Sequence, residues 1–162
     1  METSHEGGIV SCCPGCSGAK WPAGASGLNY RFPVRVYYED TDAAGIVYYA
    51  NYFRFMERTR TEWLRELGFE QDWLRQEYGV VFVVRSAAAE YLAPARFNDL
   101  LWVTGELLDH SRTAMTIRQN IYRQEDGKLL CKGEVGIVSV DIESFRPSPI
   151  PAAILEKLKY AE

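Results

Sequence analysis

Apolar and polar side chains begin to alternate near Tyr30. Phe32, Val34, Val36 and Tyr38 interleave with Arg31, Arg35 and Tyr37, a period of two that predicts a strand. The period then lengthens. Phe53, Met56, Arg60, Trp63, Leu64 and Leu67 recur at steps of three and four, and Tyr52, Phe55 and Thr59 widen the same face. This spacing predicts a helix to Leu67, with Asn51 as N-cap and Gly68 as the residue after the C-cap. So broad an apolar face predicts a helix wrapped by other elements rather than laid on a surface. A shorter helix is expected over Gln71 to Tyr78, closed by Gly79.

Strand periodicity dominates afterwards. Val80 to Tyr91 is one long run, ended by Pro94. Leu100 to Leu108 follows Asn98-Asp99, and Thr113 to Arg123 follows the polar turn Asp109 to Arg112. Gln124-Glu125-Asp126-Gly127 predicts a hairpin turn before Lys128 to Val140. Pro151 to Tyr160 is expected to form a short C-terminal helix. The order is a strand, a long apolar helix and then a meander of four long strands. It defines an α+β fold, an antiparallel sheet of about five strands wrapped around a central helix.

Residues 1–29 change the picture only at the margin. They are rich in Gly, Ser, Ala and Cys without either period, and are expected to form a disordered extension ahead of one domain, 30–162. Three of the four cysteines, Cys12, Cys13 and Cys16, lie there, with His5 as the nearest further metal ligand. Their spacing matches no familiar zinc finger or ribbon, so no metal is expected. Cys131 falls in a strand and is expected to be a buried small hydrophobe.

A chain of 162 residues with 47% hydrophobic and 25% charged residues has the composition of one globular domain. A formal net charge of −4 without a basic stripe argues against nucleic acid as a partner. No apolar run approaches the roughly 18 residues of a membrane span, and the N-terminal residues show neither a basic region nor an apolar one after it, so no secretory signal and a cytoplasmic location without membrane insertion are expected.

The chemistry concentrates in Glu39-Asp40-Thr41-Asp42-Ala43-Ala44-Gly45-Ile46-Val47, three carboxylates ahead of a helix start. A solvated turn with acids near a helix N-terminus would also contain these residues. A calcium loop would not fit, because Asn51 stands where the bidentate glutamate belongs.

The string V-R-V-Y-Y-E-D-T-D-A-A-G-I-V-Y-Y-A-N-Y-F-R-F-M-E-R-T-R-T-E-W-L, from Val34 to Leu64, resembles the 4-hydroxybenzoyl-CoA thioesterase family of hotdog proteins. It is most similar to the bacterial acyl-CoA thioesterases associated with the Tol-Pal gene cluster. Phe82-Val83-Val84-Arg85 and Glu90-Tyr91-Leu92-Ala93-Pro94-Ala95-Arg96 extend the likeness. The resemblance implies hydrolysis of an acyl-CoA to a carboxylic acid and coenzyme A, with no cofactor. It implies Asp42 as the catalytic carboxylate, acting as nucleophile or as general base. It also implies Tyr49 as the donor of a backbone N–H to the thioester carbonyl. Relatives in the Tol-Pal-associated group often carry histidine where this chain has Tyr49, so only the amide is carried over.

Arg85, Arg96 and Arg112 are candidates for the coenzyme A phosphates, since arginine suits bidentate phosphate contacts. Asp40 is expected to be a structural turn acid, and Glu57 and Glu62 to face solvent or a neighbouring subunit. The resemblance further implies a homodimer with composite sites, commonly doubled to a homotetramer, and an acyl carrier protein is a further candidate partner. Two other readings compete: a non-catalytic acyl-CoA-binding or assembly module, and a hotdog dehydratase or hydratase. The latter would pair a histidine with an acid, and only His5 and His110 exist.

Overall fold

The structure is a computed structural model that describes residues 30–160; the expected extension and the Cys12, Cys13, Cys16 and His5 cluster lie outside the described residues. The elements are β1 (Tyr30–Arg35), a 3-10 turn (Tyr38–Asp40), α1 (Asn51–Glu66), α2 (Gln71–Tyr78), β2 (Val80–Tyr91), β3 (Leu100–His110), β4 (Ala114–Arg123), β5 (Leu129–Asp141) and α3 (Ala152–Tyr160). Helix ends follow local chemistry. Gly68 and Gly79 adopt φ of 89° and 63°, left-handed values that glycine accepts without steric cost, immediately after α1 and α2.

All five strands join one antiparallel sheet in the order β1-β3-β4-β5-β2. This corrects the expected four-strand meander. Only β3, β4 and β5 follow one another as hairpins, while β2 lies at the far edge beside β5. The connection after β2 cannot turn back as a tight hairpin. Leu92 and Ala93 donate their N–H groups to the Leu130 carbonyl, and Pro94 follows them with none to give. Among the described residues the two edges of the sheet are β1 and β2.

The sheet packs on one face of α1. Phe55, Met56 and Trp63 are buried with Leu101, Val103, Ile121, Leu130 and Val135. Close approach is needed where Met56 meets β5. A Cβ on Gly133 would lie 2.7 Å from the Gln119 carbonyl oxygen and collide with the Met56 side chain, so glycine is required there. The buried stripe runs through Tyr52, Phe55, Met56, Thr59 and Trp63, with Phe53, Arg60 and Leu67 only flanking it. Arg54, Glu57 and Arg58 are exposed, so the sheet wraps the buried face of α1 and leaves these residues on its open side.

Three local expectations are also corrected. Tyr38 is not on a strand but 80% exposed in the 3-10 turn, because Asp40 Oδ2 accepts the Tyr37 N–H at 2.8 Å and turns the chain. Asn51 is not the N-cap, which is Ala50; its side-chain amide instead donates to the Asp40 carbonyl at 3.1 Å. β3 continues through Asp109 to His110, and the turn shortens to residues 111–113, closed by Ser111 N–H to the Ala114 carbonyl.

Candidate active site

The segment from Asp40 to Tyr48 folds into a small antiparallel ladder. Tyr48 N–H donates to the Asp40 carbonyl at 2.9 Å, Thr41 pairs with Val47, and Asp42 N–H donates to the Ile46 carbonyl at 2.9 Å. Gly45, at φ 73°, makes the reversal possible. The ladder is tied to the segment after β2, because Val47 N–H donates to the Ala95 carbonyl and Ile46 pairs with Arg96. Tyr52, on the first turn of α1, braces that segment, its hydroxyl accepting the Ala95 N–H at 3.0 Å.

Within this frame the carboxylates part company. Asp40 is buried, with its carboxylate on the Tyr37 amide and its carbonyl on Tyr48 and Asn51, so it holds the loop. Asp42 is exposed. Its Oδ1 accepts the Ala44 N–H at 2.8 Å, and among the described residues Oδ2 has no partner. One oxygen therefore fixes the side chain and the other is open to a reacting atom.

Tyr49 follows the ladder at the mouth of α1. Among the described residues its N–H donates to no acceptor, and the residue is 59% exposed. Its carbonyl accepts the Tyr91 hydroxyl at 2.9 Å, and the two rings meet edge to face at 6.5 Å. Burial raises the phenol pKa of Tyr91, and more than offsets the Ala95 amide in raising that of Tyr52, so both hydroxyls keep their protons at neutral pH. The unpaired amides at a helix start carry positive potential, which favours negative charge developing on a nearby oxygen.

The three arginines fall in different places. Arg96 is exposed beside the ladder through its pairing with Ile46. Arg85 is exposed at the register shift in the middle of β2. Arg112 lies in the β3–β4 turn, separated from the loop by the length of β3, roughly 30 Å of strand. Asp42, Tyr49 and Arg96 are thus brought together within the chain, and Arg112 is not. His110 ends β3, away from the ladder. Tyr91 and Tyr52 escaped the sequence reading because a hydroxyl partner 42 or 43 residues away leaves no local pattern. Among the described residues no cluster of His, Cys, Asp and Glu could hold a metal.

An antiparallel sheet around one helix, with an acidic loop at that helix's start, defines the hotdog class. Residues 36–158 match the family model of the thioesterase-like superfamily, and the chain belongs to that family. It is 45% identical over 130 residues to the acyl-CoA thioester hydrolase YbgC of Escherichia coli O6:H1, covering 80% of this chain and 96% of that protein. It is 40% identical over 126 residues to the acyl-CoA thioesterase YbgC of Haemophilus influenzae, covering 78% and 91%. Among solved structures, a probable thioesterase from Bartonella henselae superposes with a TM-score of 0.71 at 31% identity, over 75% of this chain and 98% of that one.

Proposed function

We propose that this protein hydrolyses acyl-CoA thioesters in the cytoplasm, where coenzyme A thioesters are made and used. Asp42 is the catalytic carboxylate and the Tyr49 N–H is the oxyanion donor. The observation that carries the reading is the pairing of an exposed carboxylate oxygen, free of partners among the described residues, with an unpaired amide at the start of α1. The similarity to proteins named as acyl-CoA thioester hydrolases supports the substrate class.

In the general-base route Asp42 takes a proton from water as the water oxygen attacks the thioester carbon. The carbonyl oxygen becomes an oxyanion that accepts the Tyr49 N–H. The carbon–sulfur bond then breaks, and the proton held by Asp42 passes to the departing thiolate. In the nucleophilic route Asp42 attacks directly, expels the thiolate and forms a mixed anhydride that water cleaves to the acid and Asp42. Both routes consume one water and release a carboxylic acid and coenzyme A. Arg96, beside the ladder, is the best placed of the three arginines for the phosphates of coenzyme A.

The working unit in this reading is at least a dimer, formed by pairing two copies of β2 across a two-fold axis. β2 is an edge strand twelve residues long, and Val83 to Ala88 are all exposed. An exposed apolar edge of that length is one that natural proteins cover. Thiol release measured spectrophotometrically over a panel of acyl-CoAs tests the activity. Hydrolysis with turnover supports it, and binding without release would favour a non-catalytic acyl-CoA-binding module.

A further inference from the structure

A cavity of about 150 Å³ lies between α1, α2 and the edge strand β2, beyond the middle of α1 from Asp42. Its walls include Trp63, Leu64, Phe82, Val84, Met115 and Ile137, all apolar. Arg60 is the cation on its lining. Nη1 of Arg60 donates to Gln119 Oε1 at 2.7 Å, and fully buried Gln119 spends its own amide on the Met56 carbonyl. Among the described residues Arg60 forms no ion pair, whereas Arg65, Arg118 and Arg123 each meet a carboxylate. Burial lowers the Arg60 pKa, opposed by the charge of Glu57. Glu57 stands at the rim, exposed and bonded to the Thr61 hydroxyl, where solvent screens it. Trp63, also on the lining, has a buried indole N–H with no acceptor among the described residues.

A half-buried guanidinium with spare N–H groups in an apolar cavity is costly unless an anion meets it. The volume is well below the roughly 300 Å³ at which sites for whole small molecules begin, so it suits the end of a chain rather than an entire acyl-CoA. The position in the fold indicates which chain. Phe82 to Val84 lie near the start of β2, and Tyr91, at its end, touches Tyr49. Antiparallel pairing of two β2 strands about their middle sets the start of one opposite the end of the other. The cavity of one copy then adjoins the Asp42 loop of the second.

We propose that this cavity receives the far end of the acyl group cleaved at the second copy, and that Arg60 selects acyl-CoAs whose chain ends in a carboxylate. The inference rests on the hydrolase reading and deepens it to a substrate class. A terminal carboxylate takes the free N–H groups of Arg60 in a charge-assisted pair, which a methyl end cannot do.

The test is a comparison of kcat/KM for pairs of equal carbon number, butyryl-, hexanoyl- and octanoyl-CoA against succinyl-, adipoyl- and suberoyl-CoA. The wild-type protein should prefer the carboxyl-ended member by about tenfold or more in at least one pair, an advantage of about 1.4 kcal/mol. Arg60→Met should invert that ratio, and Arg60→Lys should retain part of it. A wild-type preference for the methyl-ended member in every pair, equal rates within each pair, or an Arg60→Met variant that slows both members alike would overturn the inference and leave the hydrolase reading intact. The wild-type ratio needs no variant, so it decides the matter even if Arg60→Met fails to fold. Absence of thiol release from every thioester would overturn the hydrolase reading, and this inference with it.

Discussion

The Tyr91 hydroxyl donates to the Tyr49 carbonyl at 2.9 Å, joining the end of β2 to the first residue before the α1 cap. Tyr49 is therefore held from both sides, by this bond and by the ladder that ends at Tyr48. Tyr91→Phe keeps the ring contacts with Tyr49 and Tyr52 and removes only the hydroxyl. A neutral hydrogen bond is worth about 1 kcal/mol, so kcat should fall about threefold to tenfold. KM and melting temperature should change little. A fall in melting temperature without a change in kcat would assign Tyr91 to packing alone.

Assembly gives a second prediction. Val84 is 53% exposed on the free edge, and a second β2 would cover it. Val84→Lys should shift the protein from dimer or larger toward monomer at micromolar concentration, as read by light scattering, because edge lysines block strand pairing. Turnover should fall with the dimer fraction while the far-ultraviolet circular dichroism stays that of the fold. A wild-type protein that scatters as a fully active monomer would exclude the β2 interface.

Which elements could be read in advance follows from how local their causes are. The ends of α1 and α2 depend on Gly68 and Gly79, and the bounds of β2 on the residues from Val80 to Tyr91 themselves. Strand order depends on partners far along the chain. β2 reads the same whether it pairs with β3 or with β5, and the choice rests on long-range register, from Val80 opposite Asp141 to Tyr91 opposite Cys131, continued by the tie of Leu92 and Ala93 to Leu130. Tyr38 and Asn51 fit a strand and an N-cap by their types, and were redirected by Asp40, a buried acid whose partners lie on both sides of it. The candidate site divides in the same way. Asp42 and Tyr49 stand in a contiguous motif, whereas Tyr91, Tyr52 and Arg60 take their places from tertiary contacts.

Cys131 offers a pH test. Burial, with a smaller effect of Glu90, pushes its thiol up from 9.0 to about 11. Between those values the native chain keeps a proton that the unfolded chain loses. The thiol's contribution to stability is thus full below pH 9 and declines as pH rises toward 11. Tyr52 and Tyr91, raised by burial, act in the same direction above pH 10. Urea midpoints measured from pH 8 to 11 should fall less steeply for Cys131→Ala than for wild type. Parallel curves would mean that the thiol titrates equally in both states.

The decisive substitution is Asp42→Asn, set against Asp40→Asn. Asparagine at position 42 keeps the Oδ1 that accepts the Ala44 N–H, so the turn should survive. It replaces the free carboxylate oxygen with an amide that neither takes a proton from water nor attacks a carbonyl. Removal of a general base typically costs about 100-fold or more in kcat, and that loss is expected here with acyl-CoA binding and melting temperature retained. Asp40 predicts the opposite pattern. Its carboxylate is buried against the Tyr37 amide, so Asp40→Asn should lower the melting temperature and reduce turnover only through the geometry of the loop. The two variants therefore separate chemistry from architecture within three residues of one segment. If Asp42→Asn kept more than about a third of the wild-type kcat, the lost barrier would be only about 0.6 kcal/mol, too little for the group that delivers the attacking oxygen. The Asp42 assignment would then fall, while the loop and its ties to Ala95 and Arg96 would remain as architecture alone.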